Sequence, residues 1–240
     1  LRRLVVHPAD LDNEAFPFGT SRALDVGHVA ARVARVTYVG ELGYEFYVPP
    51  DQARSLYESL YAAAAGAWDE VGDGHGGDAI DLRDGGYYAI DSLRLEAGYR
   101  AWGHELGVSD TPLDAGLSFA VDWSKGDFLG RDALLALKEE PTRRTSRLVI
   151  LHIADEATPL WGSEPILRNG TVVGNITSAG YAHSVGGQVA MGYVNHPEAA
   201  TKGFVQAGEY QVDAGGTLLD AVASLRPLVD PKRRVLGDYT

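Results

Sequence analysis

Between Thr37 and Tyr47 the chain reads TYVGELGYEFY, which sets the carboxylates of Glu41 and Glu45 among Tyr38, Tyr44, Phe46 and Tyr47, with Gly40 and Gly43 between them. As a strand, this run turns Glu41, Gly43, Glu45 and Tyr47 to one face and Tyr38, Gly40, Leu42, Tyr44 and Phe46 to the other. One face is then acidic and the other aromatic. Carboxylates taken out of water need hydrogen-bond donors, and a flat heterocycle carrying N–H groups supplies them. Gly40 and Gly43 would let such a ring approach the backbone, or would mark a bulge. The alternative is an amphipathic strand whose two glutamates face water.

Further motifs follow in order. Residues 89–103 read AIDSLRLEAGYRAWG, residues 111–117 TPLDAGL, and residues 125–134 KGDFLGRDAL. Together with the first segment they resemble the folate-binding aminomethyltransferase family, the glycine-cleavage T-protein and its relatives. Tyr99-Arg100-Ala101-Trp102-Gly103 is most similar to the version fused to flavin-dependent dimethylglycine and sarcosine dehydrogenases; T-proteins tend to carry Leu-Tyr-Gly in place of Ala-Trp-Gly. The resemblance runs over most of residues 1 to 236. One departure stands out, since many T-proteins have an arginine where this chain has Ile90. A guanidinium able to contact folate is missing there, which fits the dehydrogenase-fused branch and equally fits weakened folate binding.

The resemblance implies tetrahydrofolate as cofactor and formation of 5,10-methylenetetrahydrofolate from an iminium or aminomethyl donor. A free iminium would hydrolyse, so the protein's part is to hold the folate nucleophile beside the electrophile and exclude water. By motif match Glu45 is the candidate pterin-binding carboxylate and Glu41 the next. Tyr38 and Tyr99 are expected to line the folate, with Phe46 and Tyr47 beside Glu45. Solvent-facing glutamates, a core role for Tyr99 and a structural role for Arg94 and Glu96 are the competing readings, and packing at a domain junction competes for Arg100 and Trp102. The expected partners are folate, a small amine-derived one-carbon donor and an upstream flavin domain in the parent chain, where any FAD would sit. No catalytic residue can be assigned, because in the resembled family the aspartate next to the reactive folate nitrogen precedes the part that looks like residues 1 to 30. The chain opens on Leu1 and its only methionine is Met191, so a fragment of a longer polypeptide is expected, inactive alone. A stand-alone glycine-cleavage aminomethyltransferase and a non-catalytic folate-binding or scaffold domain are the alternatives.

Composition limits other classes. The 240 residues, 45% of them apolar, suffice for one large or two modest domains. A net charge of −12, with no basic run longer than residues 232–234, argues against phosphate-mediated nucleic-acid binding. No cysteine is present, which excludes thiolate chemistry and suits a reducing compartment, cytoplasmic or, in a eukaryote, the mitochondrial matrix. The apolar runs are too short to span a bilayer and no signal sequence opens the chain. None of the seven histidines pairs at the spacing of a helical zinc site, so no metal site is expected. Neither a Gly-x-Ser-x-Gly elbow nor a dinucleotide or Walker motif occurs.

The elements that must position the motifs fall into an α+β arrangement: a partial aminomethyltransferase folate-binding domain over residues 1–140, then a small antiparallel β-barrel domain over 147–236, with the boundary at 139–146. Strands are expected at 29–38 and 44–48. A helix capped by Asp51 is expected over 51–65, with Leu56, Leu60 and Ala64 on its inner stripe and Tyr57 and Tyr61 flanking it. Residues 66–86 read as a glycine-rich loop, in which Asp73-Gly74-His75-Gly76-Gly77-Asp78 lacks the context of a metal or phosphate site. The next helix, 86–98, is expected to bury Ile90, Leu93 and Ala97 and to stop at Gly98. A third covers 130–138 and ends before Pro141. From residue 147 the pattern is of short strands: 148–153, a hairpin of 165–168 and 171–174 about Asn169-Gly170, then 175–178, 188–194 and 209–212.

Overall fold

A computed structural model of the chain describes residues 1–66 and 79–232. The Asp73-to-Asp78 stretch lies outside the described residues. The architecture is α+β, in two compact units, Leu1–Gly86 and Tyr87–Lys232.

In the first unit, β1 (Ser21–Val26), β2 (Val29–Ala34) and β3 (Glu45–Tyr47) form an antiparallel sheet in that order. Strand β2 buries Val29, Ala31 and Val33 and leaves Ala30 and Arg32 exposed, the period of two that one covered face requires. Pro49-Pro50 ends the sheet, because proline donates nothing to a ladder, and a 3-10 turn at Pro50–Gln52 leads into α1 (Ala53–Ala64). The N-cap is Gln52 rather than the expected Asp51, and it makes no side-chain capping bond. Leu56 and Ala64 are buried as expected and Leu60 partly so, with Leu56 and Leu60 packing into a core that includes Leu4, Leu11, Phe16 and Val33. Tyr57 and Tyr61 do flank this stripe, and both phenols donate to Asp84, at 3.0 and 2.7 Å.

The second unit is built on a closed six-stranded antiparallel barrel, as expected. Its strands are β4 (Ser146–Ile153), β5 (Pro165–Arg168), β6 (Thr171–Tyr181), β7 (Gln188–Asn195), β8 (Tyr210–Ala214) and β9 (Thr217–Ser224), arranged β4-β7-β6-β5-β8-β9 around the closure. Helices α2 (Tyr87–Glu96) and α3 (Arg131–Glu139) precede the barrel, and the short α4 (Lys202–Gln206) lies between β7 and β8. Asn169 and Gly170, with φ of 49° and 76°, supply the left-handed pair that a two-residue hairpin demands. Val149, Leu151 and Ile153 point into the barrel with Ile166, Ile176 and Val212. The alternate residues Leu148 and Ile150 are covered outside by Leu95, Val189 and Met191. Strand β4 is continuously apolar and buried from Leu148 to Leu151 because both its faces are covered there.

Helix α2 stops where expected, and for the expected reason. Gly98 takes φ 72°, its N–H donates to the Leu95 carbonyl at 3.1 Å and the Tyr99 N–H to the Arg94 carbonyl at 2.8 Å, the paired bonds of a Schellman stop. The inner face of α2 differs from the expectation. Ile90 and Leu93 are 40% and 38% exposed, whereas Ser92, Leu95 and Glu96 are buried. The covered face is largely polar and is satisfied from afar: the Ser92 hydroxyl donates to the Tyr181 carbonyl at 2.6 Å, and the Ser184 N–H donates to Glu96 Oε1 at 2.8 Å.

Candidate functional site

The segment from Thr37 to Tyr47 is not one strand. Only Glu45–Tyr47 pairs, with Glu45 opposite Ala34 and Tyr47 opposite Arg32. The Thr37 hydroxyl accepts the N–H groups of Val39 and Gly40 at 3.2 Å each, a local turn that competes with ladder formation, and Gly40 sits at φ 85°. Gly43 runs so close to the end of β2 that a Cβ there would lie 2.5 Å from the Val36 carbonyl oxygen. The space at Gly43 is therefore filled by the chain's own backbone rather than kept for a ligand.

Within β3 the alternation holds. Glu45 and Tyr47 face out, and Phe46 turns inward against the first unit's core. The Tyr47 hydroxyl donates to Glu45 Oε2 at 2.6 Å, and that bond, with the carboxylate's charge, raises the phenol above its ordinary value. Glu45 Oε1 makes no hydrogen bond among the described residues. Glu41 and Tyr38 lie on the preceding bend, Glu41 exposed and Tyr38 39% exposed. Leu42 and Tyr44, also from this bend, line a largely apolar groove of about 500 Å³ in the first unit, together with Leu4, Leu11 and Leu60.

Tyr99, the remaining candidate, belongs to the second unit and follows the α2 stop, half-buried. Around it lies a polar cluster. Arg94 is 1% exposed and Glu105 is fully buried. Arg94 Nη1 donates to Glu105 Oε2 at 2.7 Å and to the Tyr99 carbonyl at 3.2 Å, and its Nε donates to Asp91 Oδ1 at 2.7 Å. Glu105 Oε2 also accepts the Ala101 N–H at 2.9 Å. The Tyr193 hydroxyl donates to the Glu105 carbonyl at 2.9 Å, and burial first, then the charges of Asp110 and Asp114, hold this phenol well above its ordinary value. Arg94 and Glu96 are thus structural, the competing reading of the sequence. Sequence reasoning passed over Glu105. The available signal was a carboxylate six residues after the motif tyrosine, in a stretch with no helical or strand period to place it.

Arg100 ties the same loop down, its Nε donating to the Ala115 carbonyl at 3.0 Å, while Trp102 stands 72% exposed. Among the described residues no group of three or more His, Asp or Glu side chains could hold a metal ion, and no helix is long and apolar enough to cross a membrane.

Comparison with known proteins places these features in a family. The sequence profile described as the GCVT N-terminal domain matches residues 1–125, and that of the glycine cleavage T-protein C-terminal barrel domain matches residues 146–230. Mitochondrial sarcosine dehydrogenase of Homo sapiens is 38% identical over 96% of this chain and 24% of its own length. The mitochondrial pyruvate dehydrogenase phosphatase regulatory subunit of Mus musculus is 34% identical over 92% of this chain and 25% of its own. The chain thus spans about a quarter of the length of these curated relatives. In three dimensions it resembles the glycine cleavage system aminomethyltransferase T of Bartonella henselae, with a TM-score of 0.64 and 29% identity, over 84% of this chain and 50% of that one. With the barrel, the strand–helix unit before it and both profiles in the same order, the chain belongs to the glycine-cleavage T-protein family.

Proposed function

We propose that the chain binds tetrahydrofolate and serves as the C-terminal one-carbon-transfer module of a dimethylglycine/sarcosine dehydrogenase-like protein, with residues 1–140 as the partial folate-binding domain and 147–236 as the barrel domain. The observation that carries the reading is the Glu45 carboxylate, which lies in the segment matched by the first family profile, faces outward and keeps Oε1 without a partner among the described residues. An ionised carboxylate with an available oxygen is the acceptor that a pterin's neighbouring N–H donors require. Tyr47 keeps the other oxygen oriented. When bound, tetrahydrofolate supplies the nitrogen nucleophile that takes up the one-carbon unit as 5,10-methylenetetrahydrofolate. The chain's own residues bind and orient: Glu45 and then Glu41 at the pterin, Tyr38 and Tyr99 along the flat rings, Phe46 fixing the β3 backbone from its inner face. The one-carbon donor is amine-derived, and any flavin belongs to an upstream domain of the parent, in the cytoplasm or the mitochondrial matrix.

A second reading has its own support. One relative of comparable identity is named as a regulatory subunit, which favours a scaffold that binds folate weakly or not at all. Isothermal titration with 5-formyltetrahydrofolate, run on this chain and on its full-length parent, separates the two. The folate reading expects binding by the parent and a loss of about 1–3 kcal/mol in Glu45→Ala, a charge-assisted bond removed. Unchanged affinity in that variant takes Glu45 out of the site, and no binding by either wild-type protein leaves the scaffold.

A further inference from the structure

The polar cluster beneath Tyr99 is more elaborate than a helix stop needs. Gly98 and its two backbone bonds already end α2. Beyond that stop, Arg94 and Glu105 grip the next three residues from both sides, the guanidinium on the Tyr99 carbonyl and the carboxylate on the Ala101 N–H. The second carboxylate oxygen is held in turn. Thr177 Oγ1 lies 2.9 Å from Glu105 Oε1 and 3.1 Å from the Met191 carbonyl. Thr177 can reach it because the β6–β7 register shifts between Ile176 and Ser178, leaving Thr177 as the added residue of a bulge. A bulge re-aims a side chain, here at a carboxylate with no solvent contact.

We propose that Arg94, Glu105 and Thr177 form a positioning network for the ligand site, fixing the backbone of residues 99–102 so that Tyr99 and the exposed Trp102 stand in one arrangement before folate arrives. The inference rests on the folate reading and adds residues that touch no ligand themselves. Its physical basis is the cost of a buried charge: Arg94 and Glu105 each need the other, so the loop gripped between them has few alternatives. A loop ordered before binding loses less conformational freedom on binding.

The test must separate positioning from plain stability, because deleting one member of a buried ion pair strands the other. Replacing both, as in Arg94→Met/Glu105→Leu, removes the grip and leaves no fully buried charge unpaired, since Asp91, the other partner of Arg94, keeps 42% of its side chain in solvent, a change that folded proteins often tolerate. Thr177→Val and Thr177→Ser form the milder pair, of which only serine keeps the hydroxyl. Each variant is read by its unfolding midpoint, by hydrogen exchange at the Ala101 amide and by titration of the full-length protein with 5-formyltetrahydrofolate. The network predicts an unfolding midpoint at or above the wild-type value in the double variant, with faster exchange at Ala101 and at least tenfold weaker folate binding. Thr177→Val should lose affinity and Thr177→Ser should recover it. Wild-type folate binding together with a double variant that binds within twofold of it would overturn the positioning role while leaving the folate reading intact. Failure of the wild-type parent to bind folate would overturn the folate reading, and this inference with it.

Discussion

Replacing Gly98 by alanine should destabilise the second unit through two separable effects. The first is conformational. At φ 72° a Cβ meets its own backbone, at about 1–2 kcal/mol. The second is packing. An ideal Cβ at this position lies 2.8 Å from Pro227 Cγ, 3.3 Å from Pro227 Cβ and 3.2 Å from Ile150 Cδ1. The proline ring is not the loose end of a flexible chain, and Ile150 is 2% exposed inside its own cluster, so the contact opens only by moving packed atoms. Overpacking of that kind costs about 1–3 kcal/mol. Gly130, the N-cap of α3, separates the two effects, since its φ is 85° but nothing lies within 4 Å of its ideal Cβ. Gly130→Ala should therefore show the conformational part alone. The loss of unfolded-chain freedom that accompanies any Gly→Ala change, about 0.4–1 kcal/mol of stabilisation, is common to both and drops out of their difference. Urea unfolding of the two variants beside the wild type should find Gly98→Ala worse than Gly130→Ala by about 1–3 kcal/mol. Equal destabilisation of the two would refute the packing argument, because the only distinction drawn between the sites is what the new methyl group touches.

Two other expectations concern the barrel unit. Leu151 is fully buried in the barrel interior, and Leu151→Ala should cost about 2–5 kcal/mol in urea unfolding; a loss below about 1 kcal/mol would mean that the site collapses around the deletion. Above the ordinary phenol value of 10.0 the unfolded chain releases the Tyr193 proton while the folded one retains it, so the unfolded state binds fewer protons and stability falls as pH rises. Tyr193→Phe should flatten that alkaline decline, and an unaltered slope from pH 9 to 11 would remove Tyr193 as its source.

Much of the barrel could be read from the chain because its signals are local. Asn169-Gly170 dictates a left-handed two-residue turn, and Leu148 to Leu151 is apolar without interruption, which marks a strand covered on both faces. Gly98 ended its helix for the reason its residue type suggests. Strands β1 and β9 escaped notice, since Ser21–Val26 intersperses Arg22 and Asp25 among small residues and Leu218 and Val222 of β9 are exposed at 51% and 69%. The face of α2 could not be read locally at all. Its apolar stripe of Ile90 and Leu93 suggested burial, yet the face that packs is secured by the Tyr181 carbonyl and by Ser184, each more than 80 positions away. At the candidate site the residue types were visible and their conformation was not: the Thr37 turn and the approach of Gly43 to Val36 break a run whose composition suits a strand. Glu45, Phe46 and Tyr47 keep the alternation that was expected of them.

The pairing of β4 sets a condition on how the protein is made. Met191 is the partner of Ile150 on one side and Ser224 its partner on the other, 41 and 74 positions further along the chain. Neither lies near enough for a quick local loop, and contacts of such separation slow folding. On a ribosome adding about 5–20 residues per second, the last partner of β4 arrives about 4–15 s after β4 itself. Until then its Leu-Val-Ile-Leu-His-Ile run is an unpaired apolar edge, the form in which strands of different molecules join. Aggregation during synthesis should therefore be most sensitive to the arrival of β9, and a chain cut short before Thr217 should be far less soluble than one carried through Ser224.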